Sequence, residues 1–142
     1  LQQHYEAGLR ALMPRLSPSQ LQIWSETGVE LTSLSLRSWE AAVEYFKAGA
    51  SFPANITWDA IESLGREAVQ MAGESAPLAV SFLRSAPAAI EAVGPGHVRQ
   101  WADLGRRLQR RVVGGTRGRG IGLFGWPRAS RKLSLARLTS PA

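Results

Sequence analysis

Few residues in this sequence have the types and spacing that catalysis or metal binding requires. The 142-residue chain has no cysteine, which excludes a thiolate nucleophile, a thiolate metal site and a disulfide framework. The two histidines, His4 and His97, have no carboxylate or second histidine three or four positions away to complete a metal site. No serine lies in a nucleophile-elbow pattern. We therefore expect a protein that is not an enzyme and that binds neither a cofactor nor a metal.

One glycine pattern in the C-terminal part has the form of a dinucleotide-binding string. Gly120-Ile-Gly-Leu-Phe-Gly125 matches G-x-G-x-x-G. That pattern holds a pyrophosphate only when it joins a strand to a helix. Here a basic segment precedes it and Trp126-Pro127 follows it, so this context argues against a nucleotide cofactor.

Charge is divided sharply along the chain. Residues 1–105 contain seven basic and eleven acidic residues, whereas residues 106–142 contain ten basic residues and no acidic one. Arginine and glycine with an occasional aromatic residue can follow a phosphate backbone and stack on bases. A terminus that was not selected for binding explains the composition equally well. The candidate nucleic-acid contacts are Arg106, Arg107, Arg110, Arg111, Arg117, Arg119, Arg131 and Lys132.

The elements that would position any site come from a repeated segment. Leu21–Phe52 overlays Trp58–Ala89 at an offset of 37 residues without a gap. Five pairs of aligned residues are identical, and their members in the first segment are Gly28, Glu30, Ser38, Ala42 and Val43. With three more residues, an offset of 40, Trp101–Gly105 overlays Ile61–Gly65. A fixed period of this size is typical of a repeat array.

Helical periodicity and capping residues predict helices over 4–13, 18–33, 36–49, 58–72, 77–84 and 97–112, with a short helix restarting after Pro87. The expected caps are Ser17, Ser35 or Ser38, either Asn55 or Thr57, and Ser75. No segment alternates with a period of two, so no strand is expected. The predicted fold is all-α, with helix pairs of period about 37–40 stacked as a short HEAT/TPR-like α-solenoid.

This pattern also predicts which side chains are buried. Trp24, Trp58 and Trp101 lie on the inward stripe, and Gly28, Gly65 and Gly105 mark a close approach of the paired helix. The residues expected to face solvent are Glu26, Glu30, Glu40, Glu44, Lys47, Glu62 and Glu67. We predict a repeat domain over residues 1–112 and a basic Gly/Arg-rich tail, loosely ordered, over residues 113–142.

Four segments together resemble a known bacterial repeat. They are Trp24-x-x-Thr-Gly-x-x-Leu31, Trp101-Ala-Asp-Leu-Gly105-Arg-Arg-Leu, Ala-Val-Glu-Tyr-Phe-Lys-Ala and Ala-Val-Ser-Phe-Leu-Arg-Ser-Ala-Pro. Over about residues 5–110 the chain is similar to the helical repeat N-terminal to the von Willebrand factor A domain in proteins related to the nitric-oxide-reductase activation protein. The resemblance implies work with MoxR-type AAA+ ATPases in protein maturation. The Asp-x-Ser-x-Ser metal motif of the A domain does not occur here, so the resemblance implies no site residue.

The function predicted from the sequence is that of a non-enzymatic protein-binding scaffold. Its candidate partner contacts are Arg37, Trp39, Arg66 and Arg84, and the alternative is nucleic-acid binding through the basic tail. The repeat pattern ends near Leu108 with an apolar face, so we expect a second copy, a partner or Gly122–Trp126 of the tail to cover it. No apolar run approaches the roughly 18 residues of a membrane span, and the lack of cysteine favours a cytoplasmic protein.

Overall fold

The computed structural model describes residues 1–115, with side chains described to residue 107. Six α-helices lie in this part of the chain: α1 (Gln2–Leu12), α2 (Pro18–Leu31), α3 (Trp39–Gly49), α4 (Trp58–Glu74), α5 (Ala76–Val93) and α6 (Val98–Gly115), the last preceded by a 3-10 turn at Pro95–His97. The described residues contain no strand, which confirms the all-α prediction. The proposed tail beyond residue 115 lies outside this range, so the predicted domain boundary stays a prediction.

The helices pack in two layers. In one layer α3 lies between α1 and α5, and in the other α4 lies between α2 and α6. Contacts between α2 and α3 and between α4 and α5 join the layers. Helices α1, α3 and α5 begin at residues 2, 39 and 76, at intervals of 37, whereas α2, α4 and α6 begin at residues 18, 58 and 98, at intervals of 40. The gap-free sequence overlay therefore matches the starts of α3 and α5 but sets α2 three residues out of step with α4.

Side-chain caps begin three of these helices. The Ser17 hydroxyl accepts a hydrogen bond from the Gln20 amide, and the Gln20 side chain accepts one from the Ser17 amide, which completes a capping box. Thr57 accepts from the Ala60 amide at 3.2 Å, so Thr57 caps α4, not Asn55. Ser75 accepts from the Leu78 amide and caps α5. Ser17 and Ser75 are thus confirmed as caps.

Helix α3 begins three residues later than predicted because Ser38 organises a turn before it. The buried Ser38 hydroxyl accepts hydrogen bonds from the amides of Leu34 and Ser35, at 3.1 and 3.2 Å, and does not cap α3. Within this turn Arg37 has a φ of 66°, in the left-handed region. The Ser35 hydroxyl donates to the Ala72 carbonyl at 2.6 Å and ties the turn to the end of α4.

The predicted break at Pro87 is wrong, because α5 runs without interruption from Ala76 to Val93. Proline has no amide to donate to the carbonyl four residues earlier, a cost that usually ends or bends a helix. Burial of Ala89, Ile90 and Val93 beyond the proline offsets that cost. The helix ends instead at Gly94, whose φ is 96°.

The core of the first three helices is an aromatic cluster formed by Tyr5, Trp24, Tyr45 and Phe46. Ring centroids in this cluster lie 5.1–5.9 Å apart. A Cβ at Gly28 would overlap the Phe46 ring, and one at Gly65 would lie 3.1 Å from the Thr27 methyl carbon, which confirms the close approach predicted at both glycines. Trp24 and Trp101 are buried as expected, but Trp58 is only half-buried.

Candidate functional site

An open groove of about 400 Å³ lies between α2 and α4, with a residue of α3 beneath it. Helix α2 lines it with Ile23, Thr27 and Glu30, and α3 lines it with Tyr45. Helix α4 contributes Trp58, Ile61, Glu62, Gly65, Arg66 and Val69. Most of these positions recur every three or four residues, so each helix presents one continuous face to the groove. We refer to this cleft as the α2–α4 groove.

Gly65 is the position on α4 where the groove lining lies close to both α2 and α3. A Cβ at this position would meet the Thr27 methyl carbon at 3.1 Å and the Tyr45 hydroxyl at 3.5 Å. A larger side chain would therefore fill the floor, and glycine keeps it open.

Tyr45 supplies an uncharged hydroxyl at the bottom of the groove. Burial raises the pKa of Tyr45 far above its ordinary value, and a side-chain hydrogen bond with Thr27 lowers it by less. The phenol is therefore neutral at physiological pH, and its ring belongs to the aromatic cluster. The Thr27 hydroxyl in turn donates to the Ile23 carbonyl at 2.9 Å.

The upper edges of the groove combine apolar and charged side chains. Ile23 is 43% exposed, and Trp58 packs against the core while lining the groove. Arg66 and Glu62 are joined by an ion pair of 3.2 Å. Glu30 lines the groove without an ion pair or side-chain hydrogen bond to any described residue. This arrangement can hold an apolar side chain of a ligand and can attract a cation beside it.

The structure places the four predicted partner contacts on separate elements. Trp39 is 54% exposed at the start of α3, and Arg37 pairs with Glu40 at 2.5 Å. Arg84 of α5 pairs with Glu44 of α3 at 3.2 Å. Of the four, only Arg66 lines the groove, where it also borders a second, polar cavity of about 440 Å³. No hydrogen bond or ion pair among the described residues links the four side chains to one another.

Two acidic residues that were expected to face solvent do not: Glu44 is buried and the Glu67 side chain is largely covered, which corrects the prediction for both. The Glu44 side chain is 11% exposed and lies 3.2 Å from Arg84 and 3.7 Å from Lys47. The Glu67 side chain is 14% exposed and lies 2.6 Å from Arg106. In each case a neighbouring helix supplies the nearest cation, a contact that the periodicity of a single helix does not reveal.

The same ion pair changes the set of candidate nucleic-acid contacts. The Arg106 side chain is 14% exposed and pairs with Glu67 and Asp103, so it is not the surface cation that phosphate binding needs. Arg107 is exposed. The side chains of Arg110 and Arg111 are outside the described part of the chain, as are all of Arg117, Arg119, Arg131 and Lys132. For these residues nucleic-acid binding stays a prediction, as does covering of the open C-terminal end by Gly122–Trp126 or by a second copy.

The described residues form neither a metal-binding cluster nor a membrane-spanning helix. No group of three or more histidine or carboxylate side chains lies close enough there to hold a metal ion. None of the helices in residues 1–115 has the length and apolar character that crossing a membrane requires.

Several residues of the α2–α4 groove were not among the predicted contacts. Ile23, Thr27 and Tyr45 each fit an ordinary helical pattern, and nothing in one helix indicates that α2 and α4 lie side by side. The signal nearest to the site was Gly65, which marks a close approach. It indicated tight packing but not the cleft beside it.

Comparisons of the chain with models of protein families, with curated protein sequences and with solved structures found no match.

Proposed function

We propose that this chain is a non-enzymatic protein-binding scaffold built as a short HEAT/TPR-like α-solenoid. Two features support the architecture: the layers α1–α3–α5 and α2–α4–α6, and the constant helix spacing of 37 residues in one layer and 40 in the other. In such arrays each helix pair exposes an apolar face that its neighbour covers, which leaves an extended surface for partners.

The observation that carries the binding function is the α2–α4 groove. Its exposed Ile23, half-buried Trp58 and Tyr45 floor offer an apolar cleft to a segment of a partner. Its described lining contains no histidine, cysteine or serine, and its Thr27 hydroxyl is engaged with a main-chain carbonyl. The lack of these side chains favours binding over nucleophilic catalysis.

The resemblance of the repeat segments to the region N-terminal to von Willebrand factor A domains supports a narrower proposal. On this basis the scaffold is an adaptor region in a protein-maturation system that works with a MoxR-type ATPase. The additional partner contacts outside the groove are then Arg37, Trp39 and Arg84, of which Trp39 is the apolar one.

The test is affinity purification of the tagged full chain from cells that produce it, after nuclease treatment, with quantitative mass spectrometry. We expect a defined protein to co-purify in a fixed ratio from the wild type and from Val29→Ser, whose side chain is 65% exposed and outside the groove lining. Nucleic-acid binding through the basic tail predicts instead that the co-purified material is lost on nuclease treatment and on raising the salt concentration. That result would overturn the scaffold function.

A further inference from the structure

The negative charge of residues 1–105 is concentrated on the two helices that form the α2–α4 groove. Helix α2 contains two acidic residues and no basic one, and α4 contains four acidic residues and one basic residue. Their net charge is −5, against −4 for residues 1–105 as a whole. The rest of that part of the chain is therefore close to neutral.

Local pairing leaves one carboxylate of the groove available. Arg66, the only cation of the two helices, is held by Glu62 at 3.2 Å, and Glu67 is neutralised by Arg106 from α6. Glu30 lines the groove with no such described partner. A cation brought by a ligand would meet Glu30 in a negative field, whereas an acidic ligand would be repelled.

The spacing between the apolar and acidic groups sets the form of the ligand. Ile23 and Glu30 lie seven residues apart on one face of α2, which corresponds to about 10 Å along the helix. An extended peptide covers that distance with about three residues. The large apolar side chain and the basic side chain of an extended ligand should therefore be about three positions apart.

We propose that the α2–α4 groove binds an extended segment of another protein that carries a large apolar residue and, about three positions away, a lysine or arginine. The apolar side chain lies over Tyr45 between Ile23 and Trp58, and the cation pairs with Glu30. This inference rests on the proposed scaffold function and gives the chemistry of its partner. The basic tail of the chain itself has a similar composition, so the experiment must distinguish the two occupants.

The test begins with selection of displayed random twelve-residue peptides on the full-length chain. We expect the enriched peptides to contain the apolar and basic pair at the stated spacing and few acidic residues. Fluorescence polarisation with the most enriched peptide should show about tenfold weaker binding to Ile23→Ser and to Glu30→Lys, since each removes one of the two contacts. The matched controls on α2, Val29→Ser and Glu26→Lys, alter residues outside the groove lining and should bind within about twofold of wild type.

Two results would overturn the proposal. The first is enrichment of peptides without basic residues, or binding that Ile23→Ser and Glu30→Lys leave unchanged in chains with unaltered circular dichroism. The second result would come from photo-cross-linking. Because the chain has no native cysteine, a photo-cross-linker can be attached to Val69→Cys in the groove lining. Cross-links from this position only to residues 116–142 of the same molecule would assign the groove to the tail. In either case a protein that still co-purifies with the chain would leave the scaffold function standing.

Discussion

The first three helices of the described region pack around aromatic rings, whereas the last three combine a mostly aliphatic core with an ion pair between helices. Tyr5, Trp24, Tyr45 and Phe46 stack around α1, α2 and α3, and three glycines lie against the Trp24 and Phe46 rings. In the other half, one tilted pair, Phe82 and Trp101, joins α5 to α6, and the largely buried Glu67–Arg106 ion pair joins α4 to α6.

This difference indicates what each half should tolerate. Ring packing depends on shape, so a single added carbon is costly there while salt and moderate changes of pH have little effect. An ion pair depends on charge, so an uncharged isostere is costly there even though the volume is unchanged. The aromatic half should be sensitive to volume and the α4–α6 contact to charge.

The largest expected effect is that of adding one methyl group to the aromatic half. In Gly28→Ala the new Cβ overlaps the Phe46 ring, which is enclosed by the aromatic cluster and cannot move aside. We expect the free energy of unfolding to fall by about 1–3 kcal/mol, measured by urea denaturation.

The matched control for this change is Gly73→Ala in α4. A Cβ at Gly73 has no atom within 4 Å, so the substitution should raise the free energy of unfolding by about 0.5–1 kcal/mol through helix propensity alone. Equal effects at the two glycines would show that Phe46 is free to move and that the aromatic half is not closely packed.

The next largest effect is expected at the α4–α6 contact. The substitution Glu67→Gln keeps the side-chain volume and removes the negative charge beside Arg106. Asp103 stays 3.3 Å from that guanidinium, so the loss should be moderate, about 1–2 kcal/mol in urea denaturation. Glu62→Gln, which alters the exposed ion pair with Arg66, should change stability by less than about 0.5 kcal/mol. If both substitutions cost the same, the burial of the Glu67–Arg106 pair contributes nothing to the docking of α6.

The same comparison explains which features could be predicted from the sequence. Trp24 and the caps at Ser17 and Ser75 follow from helical periodicity and local hydrogen bonding, and the structure confirms them. The low exposure of the Glu44 and Glu67 side chains could not be predicted in this way, because their partners Arg84 and Arg106 are 40 and 39 residues away in sequence. Short-range patterns therefore predicted the helix caps and the buried tryptophan better than the ion pairs between helices.

The candidate site shows the same limit. Its floor, Tyr45, comes from one helix and its sides come from two others. The gap-free overlay had also placed α2 three residues out of step with α4, so equivalent positions on the two sides of the groove were not identified. The uninterrupted passage of α5 through Pro87 likewise depends on burial beyond the proline, which a local breaker rule does not consider.

The smallest expected effect concerns the alkaline pH dependence of the aromatic half, since Tyr45 belongs both to the cluster and to the groove floor. Burial raises its pKa, so the folded state keeps the phenol proton to a higher pH than the unfolded state, in which tyrosine titrates near 10. Its contribution to stability is therefore complete below about pH 10 and is lost as the pH rises further.

Tyr45→Phe has no phenol proton to lose and should flatten this alkaline decline in the free energy of unfolding. Near neutral pH the same substitution should cost about 0.5–1.5 kcal/mol for the hydrogen bond with Thr27. Urea denaturation of both chains from pH 8 to pH 11 measures the two effects together. Parallel stability curves for wild type and Tyr45→Phe above pH 10 would mean that the Tyr45 hydroxyl reaches solvent through the groove, and the aromatic half would then be open at its floor.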